Sequence, residues 1–174
     1  TWIEINPSRP TKNGWLPNGG GQPNGSYLVK LIRGDVYQVL GAIISGAIGY
    51  DLTGSSVKSI PNAQGLTQPV AVFSGSTRTG ISCAPPLGGS GDLIMQQVFP
   101  YQLWGKKYLT APFNNSTGLG LFMTCIYRVM VKDITTVVYR NGVALSSSSL
   151  IDGRYYEFIS NTADYITSDK PVIV

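Results

Sequence analysis

Apolar residues in this chain recur two positions apart. Ile3 and Ile5, Val70 and Val72, Tyr127, Val129 and Val131, then Val137 and Tyr139 follow this spacing. β-Branched and aromatic residues fill the runs, as a half-buried sheet surface requires. No window keeps a 3.6-residue period, and only Asp92 to Val98 has the makings of a short helical turn. Within Val137 to Val143, Asn141-Gly142 supplies the two positive φ angles of a type I′ turn and predicts a β-hairpin. The pattern predicts an all-β, mainly antiparallel, sandwich-like fold with little or no helix.

Two stretches break the pattern. Residues 6–26 carry Pro7, Pro10, Pro17 and Pro23 with three Asn-Gly pairs, and read as a long surface loop. Its Gly19-Gly20-Gly21 run is not a phosphate cradle, because Pro23-Asn24-Gly25 follows where a helix would have to begin. Ser76 to Gly91, rich in Ser, Thr, Gly and Pro, reads as a second loop.

Parts of the chain also repeat in order. Leu31-Ile32-Arg33-Gly34-Asp35-Val36-Tyr37 matches Leu150-Ile151-Asp152-Gly153-Arg154-Tyr155-Tyr156. Thr1 to Ile5 parallels Thr135 to Tyr139, and Gln68 to Val72 parallels Lys170 to Val174. This internal repeat predicts a first β unit over 1–134, with the 6–26 loop inside it, and the start of a second over 135–174, packed on the first. The chain opens on Thr1 without an initiator Met and closes on the strand-like Pro171-Val172-Ile173-Val174, which reads as a piece of a longer protein.

Composition narrows the functional classes. Hydrophobic residues make up 43% and charged residues 13%, enough apolar mass for a packed core. Gly 21 and Pro 11 agree with many turns. The chain has no His, so imidazole-based triads, His-ligated zinc and proton shuttles are excluded. Thirteen basic residues against nine acidic give a net charge of +4, but Lys106-Lys107 is the sole adjacent basic pair. Nucleic-acid binding, which needs a basic stripe, is not expected. No apolar run reaches the length of a membrane span, so no membrane insertion is expected.

The carboxylates fall mostly beside Gly, Thr or Lys at strand ends, where Asp serves as a turn former, and no pair stands out as a glycosidase dyad. The chain reads as non-catalytic, with no cofactor. Calcium is the nearest metal reading, yet there is no D-x-[DN]-x-[DN] run. Arg33-Gly34-Asp35 has an integrin-ligand sequence, but its repeat mate Asp152-Gly153-Arg154 swaps the charges and keeps the Gly, which favours a structural turn. Trp104-Gly105-Lys106-Lys107-Tyr108 admits two readings, sugar stacking or aromatic burial in the core, and the second is favoured.

Seven stretches in one order carry a resemblance. They are Gly34 to Val39, Asp51 to Ser55, Gln68 to Gly75, Trp104-Gly105-Lys106-Lys107-Tyr108, Tyr127-Arg128-Val129, Thr135-Thr136-Val137 and Thr167-Ser168-Asp169-Lys170-Pro171-Val172. Together they resemble the IgGFc-binding protein N-terminal domain family, found in a mucus-associated animal protein and in large secreted or surface proteins of bacteria. The resemblance implies an extracellular or cell-surface β module without catalytic activity. Its motif residues here are Asp92, Trp104, Gly105, Tyr127, Arg128, Lys170 and Pro171. The family's cysteine-flanked loop closes on Cys-Asp-His; here Gly91-Asp92-Leu93 stands in that place, so only Asp92 is kept and the local disulfide cannot form. The immunoglobulin-binding label belongs to the animal founder and is carried onto no residue.

Cys83 and Cys125 are the two thiols. In an exported chain they are expected to pair, contributing roughly 3–4 kcal/mol by the chain-entropy estimate; the alternative is two buried thiols packed as small hydrophobes. Asn24, Asn114 and Asn115 open glycosylation sequons, relevant in a eukaryotic secretory route. The expected function is adhesion or recognition, with an extracellular protein or glycan, or copies of the chain itself, as partner. The alternative is a structural spacer or self-assembling filament or matrix module, and a carbohydrate-active enzyme ranks below both.

Overall fold

The computed structural model describes residues 1–12, 25–46, 48–79, 91–113 and 124–174. These residues form two compact units, Thr1–Val72 and Phe73–Val174. Every strand pairing is antiparallel, and the fold is all-β. The division after residue 134 suggested by the repeat falls inside the second unit.

In the first unit, β1 (Trp2–Asn6) lies between β2 (Tyr27–Lys30) and β5 (Ser56–Ile60). The period-two pattern works here as expected: Ile3 and Ile5 point to one face and are buried with Tyr27. Val29, Leu31, Val39 and Val70 pack around them. Short strands β3 (Ile43–Ser45) and β4 (Ile48–Gly49) form a separate ribbon. Two expectations need correction. Val70 and Val72 lie outside any strand, although Val70 still packs against the buried cluster of this unit. The 6–26 stretch is not surface throughout: Pro7, Ser8 and Thr11 are buried, and Ser8 N donates to Ser55 Oγ at 3.0 Å. Residues 13–24 lie outside the described residues.

The second unit holds a ribbon of β6 (Phe73–Thr79) and β7 (Asp92–Gln97), and a six-stranded sheet. Its strands are β8 (Gly105–Leu109), β9 (Cys125–Val131), β10 (Val138–Arg140), β11 (Val143–Ala144), β12 (Tyr155–Ser160) and β13 (Tyr165–Ile173). They run in the order β11-β10-β13-β9-β12, with β8 also on β13. The long β13 makes this possible. Its first half pairs with β10 and β8; then the register shifts between Thr167 and Val172, and its last residues pair with β9. An irregularity of that kind bends a strand, and here the sheet curls into a half-barrel. Val129, Val131, Val138, Tyr156, Ile166 and Val172 form its buried cluster. Four of these six are fully buried, and Ile166 alone contributes about 2–3 kcal/mol.

The predicted hairpin is present. Asn141 and Gly142 take φ of 51° and 82°, the type I′ geometry, and join β10 to β11. Its facing is the reverse of the Val137/Tyr139 pattern: Val138 is fully buried while Val137 and Tyr139 reach solvent. Asp92–Val98 is not helical, since β7 occupies it; helical structure among the described residues is limited to short 3-10 turns such as Tyr101–Leu103 and Ser147–Ser149. Ser76–Thr79, expected as loop, belongs to β6. Of the repeated stretches, the Gly34 and Gly153 turns share positive φ. The residues after Gly34 form no strand, whereas Tyr155–Ser160 is β12.

Candidate functional site

Directly opposed residues in an antiparallel pair share a face. Register places Tyr139 of β10, Tyr165 and Thr167 of β13, and Lys107 and Leu109 of β8 on one side of the sheet. The opposite side holds Val138, Ile166 and Tyr108, which build the core. The outward side is therefore solvent-facing yet apolar in character: Tyr139 is 38%, Tyr165 46% and Leu109 73% exposed. Among the described residues no carboxylate forms an ion pair with Lys107.

Two polar clusters hold this face rigid. At one end, Arg140 Nε and Nη2 donate to Asp164 at 2.9 and 3.0 Å, and Asn141 Nδ2 donates to the same carboxylate at 2.7 Å. Asn141 also brackets Tyr165: its N donates to Tyr165 O and its Oδ1 accepts Tyr165 N, both at 2.8 Å. Thr110 N donates to Asp164 O, and Thr110 Oγ1 accepts Asp164 N. Asp164 is 1% exposed, and the Arg140 guanidinium above all holds its carboxyl below the usual range despite burial.

The other end is the irregular stretch of β13. Tyr108 Oη donates to Val172 O at 2.7 Å and accepts Gly105 N at 2.7 Å. Lys106 Nζ donates to Asp169 O, and Val137 N donates to Asp169 Oδ1. Lys170 Nζ reaches Asp133 Oδ2 and Thr135 Oγ1, and Thr135 N and Oγ1 also donate to Asp133 Oδ1. Lys170 first, with Thr135, lowers the Asp133 pKa to about 2. Asp51 and Thr53 repeat the same local turn in the first unit.

The residues singled out by the resemblance fall as follows. Gly105 pairs with Val172, and Lys170 and Pro171 lie in the irregular stretch of β13. Tyr108 packs against the core, whereas Trp104 is half-buried outside it, its ring edge-on to Tyr101 at 5.1 Å. Tyr127 and Arg128 point to opposite faces of β9. Tyr127 stacks on Phe158, and burial first, then the Cys125 thiol, push its phenol pKa up. Arg128 pairs with Glu157 across to β12 at 2.7 Å. Asp92 stands apart at the start of β7, accepting Leu93 N. Arg33-Gly34 forms a turn closed by Asp35 N on Ile32 O, with Asp35 Oδ2 accepting Ile32 N, as the structural reading expected. Cys125 begins β9, half-buried; Cys83, Asn24, Asn114 and Asn115 lie outside the described residues. Among the described residues no three acidic or thiol side chains gather as cation ligands, and no helix is long and apolar enough to cross a membrane.

The Tyr139–Tyr165 face is not signalled by any motif. The run Val137-Val138-Tyr139 is apolar in both phases, so the sequence does not say which phase faces out.

No curated protein and no solved structure showed significant similarity to the chain. The model of the family described as IgGFc binding protein matches residues 1–174, the whole length. That family suggests an extracellular binding module and is not a known enzyme family. With the family model matching its full length, this chain belongs to the IgGFc-binding protein family.

Proposed function

We propose that this chain is a non-catalytic recognition module of an extracellular or cell-surface protein, working in adhesion. Its ligand, an extracellular protein or a glycan, docks on the outward face of β10, β13 and β8. The observation that carries this reading is the placement of Tyr139, Tyr165 and Leu109 on the solvent side of a sheet whose other side is already a packed core. Water-facing positions of such a sheet are ordinarily polar. Exposed tyrosines supply large contact area at low entropy cost together with a hydroxyl handle, as recognition surfaces require. Lys107 adds a cation suited to a carboxylate or sulfate on the ligand. The rigid mounting of Tyr165 by Asn141 keeps the surface preorganised.

The test is a panel of immobilised extracellular proteins and glycans probed with the whole chain. Retention of one ligand class, with the ligand recovered at unchanged mass, supports recognition without turnover. Steady release of a cleaved ligand contradicts it.

A further inference from the structure

The β6–β7 ribbon is part of no larger sheet: among the described residues its two strands pair solely with each other. All six residues of β7 are exposed. Register places Phe73, Leu93 and Met95 on one face, at 60%, 59% and 66% exposure. A two-stranded ribbon in water is marginal on its own, and its outer edges carry unpaired N–H and C=O groups.

Natural edges are guarded by charge, by Pro or by a bulge. Two longer edge strands among the described residues follow that practice: β5 carries Lys58 at its centre and β12 carries Glu157. In the ribbon itself, β6 has Arg78 and the register shift between Ser76 and Thr79. β7 has no such guard from Leu93 to Gln97, where the sequence Leu-Ile-Met-Gln-Gln holds neither charge nor Pro.

We propose that the free edge of β7 is a strand-addition site for β7 of a second copy of this chain. The segment is self-complementary in the antiparallel sense. A two-fold axis through Ile94 or Met95 keeps Leu93 and Met95 of both copies on one continuous apolar face, because opposed residues share a side. The one charge in β7, Asp92, then meets Gln96 or Val98 of the copy and never its own counterpart. The result is a four-stranded sheet with the two β7 strands at its centre, past the size at which sheets become stable. A partner chosen by charge would need a charged edge to read, and residues 93–97 offer none.

Sedimentation of the whole chain across a dilution series, in reducing buffer, tests the pairing. The expected result is concentration-dependent dimer. Met95→Lys, which alters an exposed side chain, should weaken the association by roughly tenfold or more by placing ammonium groups close together across the pair. Cysteine crosslinking supplies a second readout: Ile94→Cys or Met95→Cys should give a covalent dimer on oxidation, and Ser74→Cys on the far strand should not. A monomer at every concentration overturns the proposal, whether or not it captures a strand from some other protein. Association indifferent to Met95→Lys, or crosslinking at position 74 as efficient as at 94 and 95, overturns it equally.

Discussion

Arg140 grips Asp164 through two nitrogens, at 2.9 and 3.0 Å, while its guanidinium lies over the Phe158 ring at 4.3 Å. One side chain thus ties the β10 hairpin, the entry of β13 and the aromatic pair Tyr127–Phe158 together. The pair is asymmetric: Asp164 is 1% exposed and Arg140 30%. Removing the acid leaves a half-buried cation without its carboxylate. Asp164→Ala should therefore cost about 2–3 kcal/mol, below the full value for a buried pair because Arg140 can still reach water. Urea unfolding, followed by tryptophan fluorescence, measures it.

Acid should unfold the chain through the same carboxylates. Asp164 and Asp133 both have folded pKa values below the ordinary one, Asp164 mainly through Arg140 and Asp133, at about 2, mainly through Lys170. A depressed folded pKa contributes stability that is complete above the unfolded value near 4 and disappears as pH falls through the folded value. The urea midpoint should be flat from neutrality to about pH 5 and drop between about pH 4 and 2. Lys170→Met should remove the Lys170 part of the Asp133 share of that drop by lowering the midpoint at neutral pH and leaving it unchanged at about pH 2, and the decrement should be small, since the pair is exposed.

The turn at Asp152-Gly153 gives a backbone test. Gly153 has φ of 68°, and a Cβ there would stand 3.3 Å from Ile134 Cγ2. Gly153→Ala should destabilise by about 1–2 kcal/mol. Ile166→Ala, which opens a cavity among fully buried side chains, should cost more, about 3 kcal/mol. The order of the two in a thermal-melt series is the result to check.

Much of this scaffold was legible in the sequence, for identifiable reasons. Asn141-Gly142 fixed its own turn because two consecutive positive φ angles are cheap for that pair. Ile3 and Ile5 alternate with Glu4 between them, so their inward face was readable. Val137-Val138-Tyr139 offered no such contrast, and its facing is decided by the register against Thr167 and Ser168 of β13, a partner far away in sequence. Asp92 to Val98 lacks β-branched density beyond Ile94 and Val98, and it became a strand through pairing with β6. The outward Tyr139–Tyr165 face was hidden for the same reason: Tyr139, Tyr165 and Leu109 are brought together by two separate pairings, of β13 with β10 and of β13 with β8.

We also propose that Cys83 and Cys125 pair in the exported chain. Peptide mapping without reduction should recover the two cysteine peptides as one linked species, and reduction should lower stability by roughly 3 kcal/mol. Recovery of both as free thiols from oxidised, secreted material would remove the bond from the account.

The most direct check on recognition through the outward sheet face is the affinity of the double variant Tyr139→Ser, Tyr165→Ser for whichever extracellular ligand the parent chain retains. Both side chains are exposed and outside the core, so the melting temperature should stay within a few degrees while affinity falls by roughly a hundredfold. Unchanged affinity in a fully folded double variant would contradict the claim that this face does the binding.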